Sequence, residues 1–146
     1  MLLRAEKQYK LTGGFKPLSL LYANFGLLLL FQNDFTAADE KLKNAIEMQK
    51  THPHPIAGHT AYKGAGLLAL CNNQWDTAQF YFTKALAIVE THQLRFKEPE
   101  THAFCAEAAA LLGDFETANH HLSYAASTIE TDAAQRILWL CATAAI

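Results

Sequence analysis

The sequence has almost none of the β-branched aliphatic residues that favour strands. Its 146 residues include one valine and six isoleucines, against 25 alanines and 21 leucines. A chain so weighted towards strong helix formers is expected to be all-α. An excess of charge of one sign is missing too. Twelve basic and 14 acidic side chains leave a formal net charge of −2, without the positive field that nucleic acid or an anionic membrane surface requires. No long hydrophobic run occurs: the longest, Phe25 to Phe31, is far short of the roughly 20 residues of a membrane-crossing helix. The start, Met1-Leu2-Leu3-Arg4-Ala5-Glu6-Lys7, turns charged before an apolar signal core develops. The expected localisation is therefore cytoplasmic, with no nucleic acid and no membrane as partner. Cysteine is scarce as well. Cys71, Cys105 and Cys141 are an odd number without C-x-x-C spacing, each within an apolar helical stretch, which reads as free thiols behaving as small hydrophobes in a reducing compartment.

What the chain does have is apolar bulk and a period. Hydrophobic residues make up 51% and charged ones 18%, which excludes a disordered chain and suits one packed domain over 1–146. A unit of 40 residues recurs: Asn33-Asp34-Phe35-x-x-Ala38-x-x-x-Leu42-x-x-Ala45 returns as Asn73-Gln74-Trp75-x-x-Ala78-x-x-x-Phe82-x-x-Ala85 and as Gly113-Asp114-Phe115-x-x-Ala118-x-x-x-Leu122-x-x-Ala125. Asn or Gly at 33, 73 and 113 suits the left-handed conformation that ends a helix, and Asp34 or Asp114 suits the cap of the next. The aromatics Phe35, Trp75 and Phe115 are expected to wedge between two helices, while Ala38, Ala78 and Ala118 let the backbones approach. First helices are expected at about 18–31, 56–71 and 99–112, with Pro17, Pro55 and Pro99 at or just before the first turn, and second helices at about 35–50, 75–92 and 115–130. The repeats thus span 18–50, 56–92 and 98–130. The remaining ends read as the close of an earlier helix (1–14) and an additional or capping helix (132–146). In the latter Ala133, Ile137, Leu140, Cys141 and Ala144 form an apolar stripe, which suggests a section of a longer array or self-association through that helix.

The run Tyr22-x-x-Phe25-Gly26-x-x-Leu29 followed by Phe35, Ala38, Leu42 and Ala45 resembles the tetratricopeptide repeat (TPR), as does Tyr62-x-x-Ala65-Gly66-x-x-Ala69 followed by Trp75, Ala78, Phe82 and Ala85. The third copy departs from the pattern in its first helix, where His102, Cys105, Ala106 and Ala109 stand. The length of the unit is similar to that of the long repeats of kinesin light chains and of large bacterial signalling ATPases and transcription regulators. The resemblance implies a right-handed superhelix of antiparallel helix hairpins, a TPR-like α-solenoid, acting as a protein–protein interaction scaffold that binds a peptide or helical segment along its concave face. Transferred position by position, it places Leu20, Ala23, Asn24, Leu27 and Phe31 of the first copy on that face. Thr60, Lys63, Gly64 and Leu67 follow from the second copy, and Glu100, Ala103, Phe104 and Glu107 from the third. The face would be apolar first and acidic last. The family's carboxylate clamp is absent, since Ala23, Leu27, Gly64, Glu100 and Phe104 occupy its positions. Asn24 matches an asparagine of peptide-binding relatives of kinesin-light-chain type, whose amide could pair with a ligand backbone. Ordinary packing between repeats is the competing reading of each residue, above all Leu27 and Leu67. The other readings are a regulatory or sensor arm of a larger signalling ATPase or transcription regulator, and a small-ligand-binding helical domain.

Residues that carry chemistry form no recognisable constellation. His120 and His121 are adjacent and diverge by about 100° on a helix, whereas a helical zinc pair needs a spacing of three or four. His52, His54 and His59 straddle a proline turn without a cysteine or carboxylate close in sequence. No Gly-rich phosphate loop and no nucleophile turn occurs. Ser19, Ser123 and Ser127 lie within helices, and Glu98, Glu100 and Glu107 suit an acidic face better than a carboxylate pair. No enzyme activity, cofactor or metal is expected.

Overall fold

The computed structural model describes residues 15–126, with side chains from Leu18 to Ala125. The expectations for 1–14, 127–130 and 132–146, including the apolar stripe through Ala133, Ile137, Leu140, Cys141 and Ala144, lie outside the described residues. Six helices follow one another: α1 (Phe15–Phe31), α2 (Phe35–Thr51), α3 (Pro55–Cys71), α4 (Trp75–Thr91), α5 (Glu98–Leu111) and α6 (Phe115–Ala126), with a 3-10 turn at Arg95–Lys97 before α5. No strand occurs among the described residues. The protein is all-α, and the helix limits within the described residues fall within about three residues of those expected, the end expected at 130 lying beyond them.

The three turns inside the hairpins are built alike. Asn33, Asn73 and Gly113 have φ of 62°, 57° and 82°. The next residue's N–H then reaches back to a carbonyl of the last helical turn, Asp34 to Leu29 O, Gln74 to Ala69 O and Asp114 to Ala109 O, each at 2.9 Å. Asn33 to Leu30 O, Asn73 to Leu70 O and Gly113 to Ala110 O complete the pair of bonds that defines a Schellman motif. Asp34 and Asp114 then cap the following helices, Oδ1 accepting from Ala37 N–H at 3.3 Å and from Thr117 N–H at 3.1 Å. A hydrogen bond with the Thr117 side chain, and after it the cap bond from the Thr117 N–H, hold the Asp114 carboxyl below its usual range.

The links between hairpins differ from each other. After α2, His52 closes the helix through its N–H to Met48 O, and Pro53 and Pro55 prevent continuation. His54 N–H donates to Gln49 Oε1 at 2.8 Å, and its Nδ1 caps α3 by accepting from Ala57 N–H at 3.2 Å. After α4 a fourth left-handed residue, Gln93 at φ 54°, sets Leu94 N–H on Val89 O at 3.0 Å and leads into the 3-10 turn. Nothing in its local sequence marked Gln93 for that role, glutamine being an uncommon residue there.

The repeated positions are the core. Ala38, Ala78 and Ala118 are fully buried, as are Ala45, Ala85 and Ala125, with Leu42, Phe82 and Leu122 between them at 1%, 1% and 8% exposure. The chain divides between Leu68 and Ala69 into two compact units. In the first, α1, α2 and the larger part of α3 enclose two clusters. Leu18, Tyr22, Ala23, Ala45 and Ala61 form one, and Leu30, Ala38, Leu42 and Leu68 the other, with Phe35 packed against the second. In the second unit the α5–α6 cluster is Ala103, Ala106, Ala109, Ala110, Ala118 and Leu122. That poverty of bulk corrects one expectation: Phe115 does not wedge between helices but stands 48% exposed. Its counterpart Phe35 packs against a cluster that includes Leu30 and Leu42, whereas the third copy has Ala110 at the register of Leu30 and so less bulk for a ring to meet.

Two stability measurements test this frame. Gly113→Ala forces a Cβ into φ 82° and should cost about 1–2 kcal/mol in urea unfolding, while Asn73→Gly should be neutral or slightly stabilising. Leu42→Ala should cost about 2–5 kcal/mol. A methyl on Gly26 would lie 2.6 Å from Leu42 Cγ, so Gly26→Ala should destabilise the parent yet stabilise Leu42→Ala, a coupling of at least about 1 kcal/mol. Additive effects would show that the two residues do not meet.

Candidate functional site

The faces of the first helices are partly core. On α1, Leu20 and Leu27 are half-buried and Ala23 fully buried, while Asn24 is exposed and Phe31 is 73% exposed. On α3, Thr60 and Gly64 are buried and Lys63 and Leu67 half-buried. Leu27 and Leu67 come together, both packed against the cluster around Leu42. A methyl on Gly64 would lie 2.7 Å from Leu42 Cδ2 and 3.2 Å from Leu27 Cδ2, so glycine there allows a close approach. In the first unit the exposed positions of this face are Asn24 and Phe31.

In the second unit α5 buries Ala103 and leaves Glu100, Phe104 and Glu107 half-exposed. Phe104 stacks on Phe82 of α4, ring centroids 5.2 Å apart and planes 16° from parallel. Burial pushes the Glu107 carboxyl above its ordinary range, so removing its charge is easier than for a solvated glutamate. Outside these positions Phe80 and Phe96 also stand in solvent, at 56% and 66%, with Lys84 Nζ 5.4 Å and Lys97 Nζ 5.2 Å from their ring centroids. Their single apolar side chains carry no periodic signal, which is why sequence reasoning passed over them.

The three histidines around the proline turn take separate places. His54 is spent on the cap of α3, His59 is wholly buried in that helix, and His52 Nδ1 lies 2.9 Å from Thr51 Oγ1. Among the described residues no group of three or more His, Cys, Asp or Glu is arranged to hold a metal ion. A different pair meets instead. His102 Nδ1 on α5 and His121 Nδ1 on α6 are 2.9 Å apart, and the Tyr124 ring stacks on His102 at 5.0 Å and 12°. Burial lowers both imidazoles, with His120 adding to the effect on each; that of His121 falls to about 4, and Glu98 and Glu90 act the other way on His102 and His121 respectively. Nineteen residues separate the pair, so no local motif could announce it. The period could have, because 102 and 121 are the register positions of Tyr22 and Lys41.

Among the nucleophiles, Ser19 is buried, and Ser123 Oγ donates to His120 O at 2.7 Å within its own helix. Ser127 and Cys141 lie outside the described residues. Cys105 is buried, and burial pushes its thiol up to about 12, which removes the reactive thiolate at neutral pH. Cys71 differs from the expectation of a packed thiol: it is exposed, because it ends α3 at the register of Phe31 and Leu111, which also face solvent. Iodoacetamide followed by peptide mass mapping should therefore modify Cys71 promptly in the folded protein and Cys105 only on unfolding. Comparable rates at the two sites would contradict the packing of α5.

Comparison with protein-family models, with curated proteins and with solved structures gives no match for this chain.

Proposed function

We propose that the protein is an interaction scaffold of TPR type, a right-handed superhelix of helical hairpins that binds a peptide or helical segment of another protein along its first helices. One observation carries this reading: the frame is constant and the face is not. Positions 38, 78 and 118 are alanine and wholly buried each time. At the same spacing the first helices carry Leu20, Thr60 and Glu100, then Asn24, Gly64 and Phe104, then Leu27, Leu67 and Glu107, of which Thr60 and Gly64 are buried. Repeats that share a scaffold while varying one helix face supply the extended recognition surfaces of solenoid proteins. Asn24 offers both a donor and an acceptor to a ligand backbone, and the acidic positions on α5 favour a segment that carries basic as well as apolar side chains.

Selection from a random peptide display library on the full chain tests the proposal. A selected peptide should lose at least about fivefold in affinity on Asn24→Ala or Lys63→Ala, about 1 kcal/mol, with the melting temperature unchanged. Selection of no peptide, or binding indifferent to both substitutions, would overturn it.

A further inference from the structure

At the joint of the hairpin, the first and third copies each carry a pair of side chains in the same register, one from the first helix and one from the second. In the first copy these are Tyr22 and Lys41, with Lys41 Nζ 5.3 Å from the ring centroid, a cation over an aromatic face. In the third copy the same positions hold His102 and His121, Nδ1 facing Nδ1 at 2.9 Å. The same two helices share a cluster of five alanines and one leucine, which among the described residues adds little apolar bulk to that of these rings and Tyr124.

We propose that the α5–α6 hairpin is an acid-sensitive joint, which takes up one proton at the His102–His121 pair with its packing intact and separates when both rings are protonated. The proton count decides this. At neutral pH one Nδ1–H donates to the other Nδ1, and with His102 as donor its Nε2 is bare, 4.0 Å from Glu98 Oε1. A first proton enters at that Nε2, beside a carboxylate, and leaves the Nδ1 contact unbroken. The second proton has only His121 Nδ1 left. It places two N–H groups face to face at 2.9 Å, with neither able to accept, and two positive charges at a joint closed to much of the solvent.

The groups facing the pair are Glu98 on α5, Glu90 on α4, and His120 and Tyr124 on α6. Glu90 and Glu98 ease protonation, whereas burial and the neighbouring imidazoles oppose it. Both imidazoles are depressed in the packed form. Between the ordinary histidine value of about 6.5 and about 4 the opened form binds protons that the packed form does not, so hairpin stability falls as pH drops through that window and is level above it.

Nuclear magnetic resonance of the full chain, following imidazole nitrogens and amide protection factors from pH about 7.5 to about 4, tests the joint. His102 and His121 should titrate as a coupled pair in two steps. Protection in α5 and α6 should fall about tenfold or more through the second step, while α1 and α2 keep theirs. His121→Asn retains an acceptor oxygen in place of Nδ1 but no titrating ring, and should make α5–α6 protection level across the same range. Independent titration of the two rings near the ordinary value, or α5–α6 protection unchanged through the second step, would overturn the proposal. So would a His121→Asn variant that loses protection as steeply as the parent. If that variant does not fold, the parent titration decides alone.

Discussion

The left-handed residue that ends each first helix is the constraint on which each hairpin depends. At Asn33, Asn73 and Gly113 the chain leaves the helix with positive φ, and the following N–H bonds back to a carbonyl one turn earlier. Two orphan carbonyls are thereby satisfied and the direction of the chain reversed in a single step. The next helix starts from a fixed position, so the fifth residue after the turn residue always meets the first helix squarely. Only alanine occurs there, at 38, 78 and 118. A longer side chain would push the helices apart, and the large residue one helical turn further on would lose its partners.

From that common start the hairpins diverge through the bulk of their first helices. The first unit is filled by leucines and by glycines that let Leu42 approach α1 and α3 closely. In α5 the matching positions are alanines, which sustain the helix but enclose little apolar volume. Two consequences are visible: Phe115 has less bulk to wedge against, and the joint of the two helices that share the alanine cluster is made from two imidazoles and a tyrosine ring. On the proposed reading a hairpin held in part by a histidine pair stays packed only until the second ring is protonated, a condition that the pairing of Tyr22 with Lys41 in the first copy does not share.

Much of the frame was legible in the sequence because it depends on local rules repeated at a fixed period. Asparagine or glycine tolerates positive φ, aspartate caps, proline stops a helix, and alanine recurs where backbones approach. Gln93 broke that rule, taking the same conformation because the link into α5 required it. The candidate binding face was only half legible. Spacing places Thr60, Gly64, Leu27 and Leu67 on the same face as Asn24 and Phe31, yet the first four are buried or half-buried and the last two exposed. Helical periodicity reports direction around an axis, and it does not report how far the neighbouring helix covers that direction.

The sequence by itself determined the helical class, the 40-residue unit, the turns and the identity of the buried alanines, since each follows from the conformational preference of a residue and its nearest neighbours along the chain. Tertiary structure alone decided which aromatics found a partner, that Cys71 is open while Cys105 is sealed, and that His102 meets His121 rather than His120 forming a site with its neighbour. Those outcomes depend on contacts between residues on different helices. Their energies are set by distance in space and by exclusion of water, neither of which is written in the order of residues.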